Sequence, residues 1–555
     1  MHMEKELFTF IVGGKAGEGV KKAGQAAASL FVDKGRQVFQ ADEYESLIKG
    51  GHNFSTVTTG IRQVTGTYLK ADLVVCLDKR SYEIHKDHLA PGGILVHNSD
   101  AMGPGSWKGV GLPLTGSAKK FPNPELKMGL GAVAALVAAL GLDRSDIMKL
   151  VKQEYSRDLE TNLVFALTVH ELASPQLGKK FNLERGEKKR PMLFGNQAIT
   201  LGAYLGGLDI YFAYPMTPSS SALHYIAGKA RELGVTVIHP ESEIAVMNMA
   251  IGAAFTGARS MIGTAGGGFG LMVEALSMAG MAEVPLLALL SSRVGPSTGA
   301  ATLHEQSDLR FALGAGHGEF PRIVASPGTV KEALFLSADL LDLAWKFQVP
   351  AILLTEKHLS ESTMTLDPDP SEAAWSEPAM HAGGEYKRYR ITDDGITPLL
   401  FPPSKELNKW TSHICDEVGL VSEDPGMIAQ MHEKFIRKGN AIREKLQAMH
   451  VVNTFGNDGP VIMTYGSTTM AVVEALRFSD QKARVVQPVY LEPFPEWAMG
   501  CQADERPIVV EQSSTGLFAQ LVEDRLGVEP EAVIKKYDGR PFDPEELALS
   551  LKEVL

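Results

Sequence analysis

"LDIYFAYPMTPSSSALHYIAGKARELGVTVIHPESE", residues 208–243, decides the fold. An apolar run, "LDIYFAYPM", stops at Pro215 and gives way to Thr217 and a helical stretch to Leu233. A second run, "VTVIHP", then leads into Glu241-Ser242-Glu243. The alternation continues outward. "RSMIGTA" precedes Gly266 to Gly270 and the helix "LMVEALSMAGM". "VPLLALLSSR" ends at Arg293 and enters "VGPSTGAATLHEQSD". Strands alternating with helical patterns predict a parallel α/β sheet. In open sheets of this kind ligands bind outside the carboxyl ends of the strands, where helix N-termini also gather.

Thr217, Glu243, the glycine run and Arg293 all follow such strand ends. Each has an ordinary reading alone: a helix cap, a first-turn carboxylate, a surface salt bridge. Four at one sheet edge point to a shared site. Arg293 offers a planar fork suited to a carboxylate, and Thr217 and Thr302 can donate to the same anion. The ligand class is a small carboxylate, most simply a 2-oxo acid. "HEQSD" lacks the second histidine of a zinc helix.

The sequence has 555 residues, too many for one core, and suggests three or four domains. Apolar residues make up 44% and charged residues 22%, ordinary for a globular enzyme. A net charge of -12 argues against a nucleic-acid partner. No apolar run approaches the roughly 20 residues of a membrane span, and no signal peptide is evident. A cytoplasmic location is expected. Cys76, Cys415 and Cys501 stand singly, read as buried thiols, and cannot build a cluster site.

The N-terminal strand "LFTFIVGG", its turn "GKAGEG" and the strands "ADLVVCLD" and "GGILVHN" predict another parallel α/β unit. Its turn fits neither nucleotide fingerprint. Lys49, Gly50, Gly51, His52 and Asn53 are expected in an exposed polar loop. "NLERGEKKR" marks a linker near residue 185. After about residue 360 comes irregular sequence, in which Ile428, Phe435, Ile442 and Met449 recur every seven residues on one helical face. "PVIMTYGST", "ARVVQPVYL" and "RPIVVEQS" open a last α/β unit.

"AYPMTPSS", "PESEIAVMNMAIGAAFTGARSMIGTAGGGFGLMVEAL" and "SSRVGPSTGAATLHEQSDL" resemble the α subunit of 2-oxoacid:ferredoxin oxidoreductases, nearest to the 2-oxoglutarate branch in which a γ-type domain comes first. "GGKAGEG" and "SLIKGGHNF" resemble the γ domain, and "MTYGST" with "VVEQS" a transketolase C-terminal-type domain. The resemblance implies a multidomain α/β chain: a γ-type domain over 1–183, a pyrimidine-binding module of thiamine diphosphate enzymes over 191–365, an irregular connector with an amphipathic helix over 366–455, and a transketolase C-terminal-like domain over 456–555.

By the same resemblance, Glu243 meets the aminopyrimidine ring of thiamine diphosphate, with Pro215 also on the cofactor. Thr217 and Arg293 grip the substrate's 1-carboxylate, Thr302 helps orient it, and Asp394 in "ITDDGITP" faces the site. The diphosphate module's Gly-Asp-Gly signature and the cluster cysteines are absent from the sequence. The resemblance therefore implies a β subunit carrying Mg²⁺ and a [4Fe–4S] cluster, an (αβ)₂ assembly, coenzyme A as co-substrate and ferredoxin as electron acceptor. Pyruvate, or a broad range of 2-oxo acids, is the alternative substrate. A carboxylate- or nucleotide-binding subunit without catalysis is the alternative class. A lipoamide-linked dehydrogenase chain is a third reading, opposed by the γ-type domain.

Overall fold

The computed structural model describes residues 6–45, 51–500 and 505–555. The chain divides into two compact units, Met1–Leu193 with Ser362–Asp367 and Phe542–Glu546, and Phe194–Glu361 with Pro368–Pro541 and Leu547–Leu555. The short returning segments of the first unit are invisible to any linear partition of the sequence.

The first unit contains β1 (Leu7–Lys15), β2 (Gln37–Tyr44), β3 (His52–Gly60), β4 (Ala71–Cys76), β5 (Leu89–Asn98), β6 (Val110–Leu112) and all but the last residue of β7 (Met192–Phe194). With β14 (Thr363–Thr365) they form one sheet in the order β6-β5-β4-β1-β3-β2-β14-β7. β4 runs parallel to β1 and β5, and β5 to β6, as the alternating pattern predicts. The other half corrects that expectation, because β3 is antiparallel to both β1 and β2. The link from Tyr44 to His52 is too short for the crossover that parallel strands require.

A second correction follows. His52 and Asn53 belong to β3, with His52 buried, and Gly51 is buried beside them, so they form no exposed loop. Lys49 and Gly50 lie outside the described residues. The helix Val20–Asp33 packs small residues, Ala23, Ala26 and Ala27, into the core beside Phe8, Phe10 and Val75. Cys76 and Cys415 are buried thiols as expected, and Cys501 falls outside the described residues.

In the second unit β8 (Ile210–Phe212), β9 (Thr236–Ile238), β10 (Ser260–Thr264), β11 (Leu286–Ser292), β12 (Ile323–Ala325) and β13 (Pro350–Glu356) are joined in the order β12-β13-β11-β10-β8-β9. These pairings are all parallel. The four strands read from the sequence therefore end together at one edge. A five-stranded sheet, β15 (Val452–Phe455), β16 (Val461–Met463), β17 (Arg484–Pro488), β19 (Ile508–Glu511) and β20 (Ala532–Lys535), carries the C-terminal part. The run "ARVVQPVYL" splits, because β18 (Tyr490–Glu492) leaves that sheet and pairs antiparallel with β12.

The connector is irregular to Glu423, then forms the helix Pro425–Gln447. Of the four residues at heptad spacing, Phe435 and Ile442 are buried, Ile428 is half-buried and Met449 is half-buried just past the helix end; Leu446, outside that spacing, is buried as well. Lys434 and Lys438 are buried with them, both ion-paired to the fully buried Glu283. Burial would raise the Glu283 carboxyl, but the two lysines and Arg388 hold it at about 2. No helix among the described residues is long and apolar enough to cross a membrane.

Candidate functional site

The loop after β8 is held by its own polar groups. Ser219 precedes the helix Ser220–Leu233, and its hydroxyl donates to the Met216 carbonyl at 2.9 Å. Asn196 Nδ2 donates to the Pro218 carbonyl at 2.9 Å and to Ser221 Oγ at 2.7 Å. Ser219 is thus spent on the turn, leaving Thr217 at the tip.

Arg293 leaves the end of β11 and reaches that tip, its Nη1 donating to the Thr217 carbonyl at 2.7 Å. Among the described residues this is the only hydrogen bond its guanidinium makes, and Nε is buried without a partner. Burial lowers the Arg293 pKa while Asp308 opposes the shift, and an arginine keeps its proton regardless. A buried N–H without an acceptor is costly, so this edge of the fork calls for one.

The segment from Arg293 to Asp308 closes on itself. Val294 and Ala300 form a bridge, the Gly295 N–H donates to Glu305 Oε2 at 3.2 Å, and Ser307 Oγ donates to the Arg293 carbonyl at 3.3 Å. Gly299 has a φ of 52°, and a Cβ there would fall 1.8 Å from the Val294 carbonyl oxygen. The loop needs glycine at that point. Thr302 is carried on this loop, 9% exposed.

Glu243 opens the helix Glu243–Phe255, behind Ser242, whose Oγ accepts the Ala245 N–H at 3.4 Å. Its side chain is only 5% exposed, yet no hydrogen bond reaches its carboxyl from the described residues. It lies against the first turn of the helix Gly266–Met281, where a Cβ on Gly268 would stand 2.8 Å from Glu243 Oε1 and 2.2 Å from Thr264 Oγ1. The glycine run therefore makes room for the carboxyl. Gly268 N–H in turn donates to Met216 Sδ at 3.3 Å, tying this helix to the Thr217 loop. A sheltered carboxyl without donors fits the amine and ring nitrogens of an aminopyrimidine.

The helices flanking Glu243 show an unpartnered apolar face. Ile244 and Leu271 are each 54% exposed and Met249 43%. Gly252 and Gly270 have open space where a Cβ would stand, so no packing within the chain requires them. Such a patch marks an interaction surface.

The other expected residues fall differently. Pro215 is exposed beside the Thr217 tip. Asp394 does not join the crevice of its own chain. It caps its own turn, accepting the Ile396 N–H at 2.9 Å. Its neighbours fix its place: Gly395 lies against Lys434 and Lys438, and the Thr397 carbonyl is bound by Gln348. These contacts lie near Glu283 and Val349, before β11 and β13, at the amino end of the sheet.

Several polar residues escaped sequence reasoning. Gln306 Oε1 accepts from Thr468 Oγ1 at 2.8 Å and from the Gln512 N–H at 2.9 Å, while its Nε2 donates to the Tyr465 carbonyl at 3.0 Å. It pins the loop from Arg293 to Asp308 to the C-terminal sheet. Glu356 ends β13 beside Ser292 and accepts the Ser467 N–H at 2.9 Å. Burial pushes its carboxyl up to about 7, against the opposing Ser467 hydrogen bonds. For Glu356 the available signal was a polar residue ending an apolar strand, "AILLTE"; for Gln306, deep in the loop after β11, there was none.

The carboxyl ends of this open parallel sheet thus carry Glu243, sheltered and without a donor among the described residues, and the Arg293 fork with its Nε unfilled. Residues 201–417 match the family described as pyruvate flavodoxin/ferredoxin oxidoreductase, thiamine diphosphate-binding, and residues 9–171 the family described as pyruvate ferredoxin/flavodoxin oxidoreductase. A 2-oxoacid:ferredoxin oxidoreductase subunit alpha from Sulfolobus sp is 30% identical, over 99% of this chain and 97% of its own. The 2-oxoglutarate synthase subunit KorA of Archaeoglobus fulgidus is 29% identical over 58% of this chain and 86% of its own. A solved 2-oxoglutarate:ferredoxin oxidoreductase from Magnetococcus marinus, with 2-oxoglutarate, coenzyme A and succinyl-CoA bound, superposes with a TM-score of 0.90 at 29% identity, covering 99% of this chain and all of that one. The chain belongs to the 2-oxoacid:ferredoxin oxidoreductase family, as an α subunit that uses thiamine diphosphate. An α subunit works with at least one further subunit.

Proposed function

We propose that this α subunit takes part in the coenzyme A-acylating oxidative decarboxylation of 2-oxoglutarate, or its reverse from succinyl-CoA. The observation that carries the reading is the Arg293 fork, engaged at Nη1 by Thr217 and lacking a partner at Nε. The 1-carboxylate of a 2-oxo acid supplies the missing acceptor, and Thr217 and Thr302 offer hydroxyls to it.

Bound thiamine diphosphate would supply a carbon nucleophile and an electron sink for the acyl carbon. Glu243 would hold a proton against the aminopyrimidine nitrogen and exchange it there, sheltered from water by Gly268 and Thr264. Pro215 would line the cofactor edge of the same loop. The apolar face of Ile244, Met249 and Leu271 would seat a β subunit bearing the diphosphate site, Mg²⁺ and a [4Fe–4S] cluster, in an (αβ)₂ assembly that passes electrons to ferredoxin. Asp394, distant from its own crevice, could act only across such an assembly.

The choice of 2-oxoglutarate is supported by the names of the Archaeoglobus and Magnetococcus relatives, while the family descriptions name pyruvate, the competing substrate. Co-expression with the partner subunit, followed by a panel of 2-oxo acids with coenzyme A and ferredoxin, tests the reading. Highest kcat/KM on 2-oxoglutarate supports it; highest kcat/KM on pyruvate replaces it. Turnover by the chain alone refutes the division of labour.

A further inference from the structure

We infer that Asp308 is a positioning residue whose negative charge weakens the hold of Arg293 on the substrate carboxylate. The inference rests on the reading of Arg293 as the carboxylate clamp. Ser292 and Arg293 are neighbours at the end of β11, and Asp308 is clasped to the same root. Ser292 Oγ donates to Asp308 Oδ2 at 2.6 Å, and the Asp308 N–H donates back to Ser292 Oγ at 3.2 Å. On the opposite side its carboxyl lies against Gly266, where a Cβ would stand 2.6 Å from Oδ1 and 2.7 Å from Oδ2. Only glycine leaves that space.

Asp308 acts on Arg293 by its field alone, for the guanidinium spends its one hydrogen bond on Thr217 and none on Asp308. The fork stays open while its charge is partly compensated. Burial, the largest cause, raises the Asp308 pKa above the usual carboxylate value and Glu305 adds to the rise; the Ser292 hydrogen bond and Arg293 oppose it and favour the charged form. In such a sheltered place charges act with little screening.

The chemistry gives this compensation a purpose. When the C1–C2 bond of a 2-oxo acid breaks, its electron pair stays at C2 and C1 leaves as neutral CO₂. Negative charge moves away from Arg293, so an uncompensated cation stabilises the bound carboxylate more than the transition state. A charge that reduces this grip speeds the step at the expense of binding. Asp308 is placed to do so.

Asp308→Asn keeps the shape and the Ser292 contact but removes the charge. In the assembled complex, KM for the 2-oxo acid should fall about 3-fold and the saturated rate of CO₂ release about 10-fold, the pattern of a lost ground-state destabilisation. In an Arg293→Ala background the same change should leave both constants unaltered. A raised or unchanged KM for Asp308→Asn, in a complex where Arg293→Ala does raise KM, overturns the inference. An unchanged KM for Arg293→Ala itself overturns the clamp instead. If Asp308→Asn does not accumulate, Ser292→Ala replaces it, because losing that hydrogen bond favours the neutral carboxyl. The same joint fall is then expected, and a rise in KM refutes the idea.

Discussion

Removing the Arg293 side chain separates a binding fork from a surface cation. The guanidinium makes one hydrogen bond to the Thr217 carbonyl, and its loss costs the fold about 1 kcal/mol, or a few degrees in melting temperature at most. The effect on catalysis should be larger. A desolvated charge pair truncated on one side costs about 2 to 5 kcal/mol, whereas an exposed pair costs about 0 to 1 kcal/mol. With Nε sheltered and awaiting an acceptor, Arg293→Ala belongs to the first class. It should lower kcat/KM for the 2-oxo acid by about 30-fold or more. Arg293→Lys should recover only part of this, since an ammonium cannot present two parallel donors. The assay is steady-state kinetics of the three proteins, each assembled with its partner subunit and checked for thermal stability. Equal kcat/KM in all three would refute the reasoning and return Arg293 to a structural tie for the Thr217 loop.

Other outcomes follow from the same geometry. Gly268→Ala drives a methyl into Thr264 and the Glu243 carboxyl, so it should cost about 1 to 3 kcal/mol in stability and displace Glu243. Full activity in that variant would show that the carboxyl needs no fixed seat. Glu283→Ala strands Lys434 and Lys438 in the core and should destabilise the chain by about 3 to 5 kcal/mol, read by urea unfolding. Glu356 gives a pH signature. Its folded value of about 7 lies above the ordinary 4.5, so its contribution is full below pH 4.5 and lost as pH rises through 7. Wild type should therefore lose about 2 to 4 kcal/mol more than Glu356→Gln between pH 4.5 and 8. Parallel stability curves for the two would exclude the shift.

Thr217, Glu243 and Arg293 were legible because strand periodicity and the parallel-sheet rule fix which residues follow the carboxyl ends. That local pattern does not report pairing between distant segments. It missed the antiparallel β3, whose His52 and Asn53 looked like a polar loop, and it could not exclude Asp394, whose turn the connector folds to the amino end of the sheet. The heptad spacing located the buried face of the helix Pro425–Gln447 but not Lys434 and Lys438 within it, because their counter-charge, Glu283, lies some 150 residues away in sequence. Gln306 was hidden for the same reason: its partners Tyr465 and Gln512 follow strands of the C-terminal sheet, far along the sequence.

The central claim is that a 2-oxo acid loses its carboxylate in the crevice where Glu243 exchanges a proton with the cofactor. It is tested most directly by release of labelled CO₂ from a 1-¹⁴C-labelled 2-oxo acid in a single turnover, comparing wild-type complex with Glu243→Gln. The amide keeps the size of the carboxyl but cannot exchange the proton, so release should slow by about 100- to 10,000-fold while the complex still assembles and binds thiamine diphosphate. Release at the wild-type rate from the Glu243→Gln complex would contradict the account.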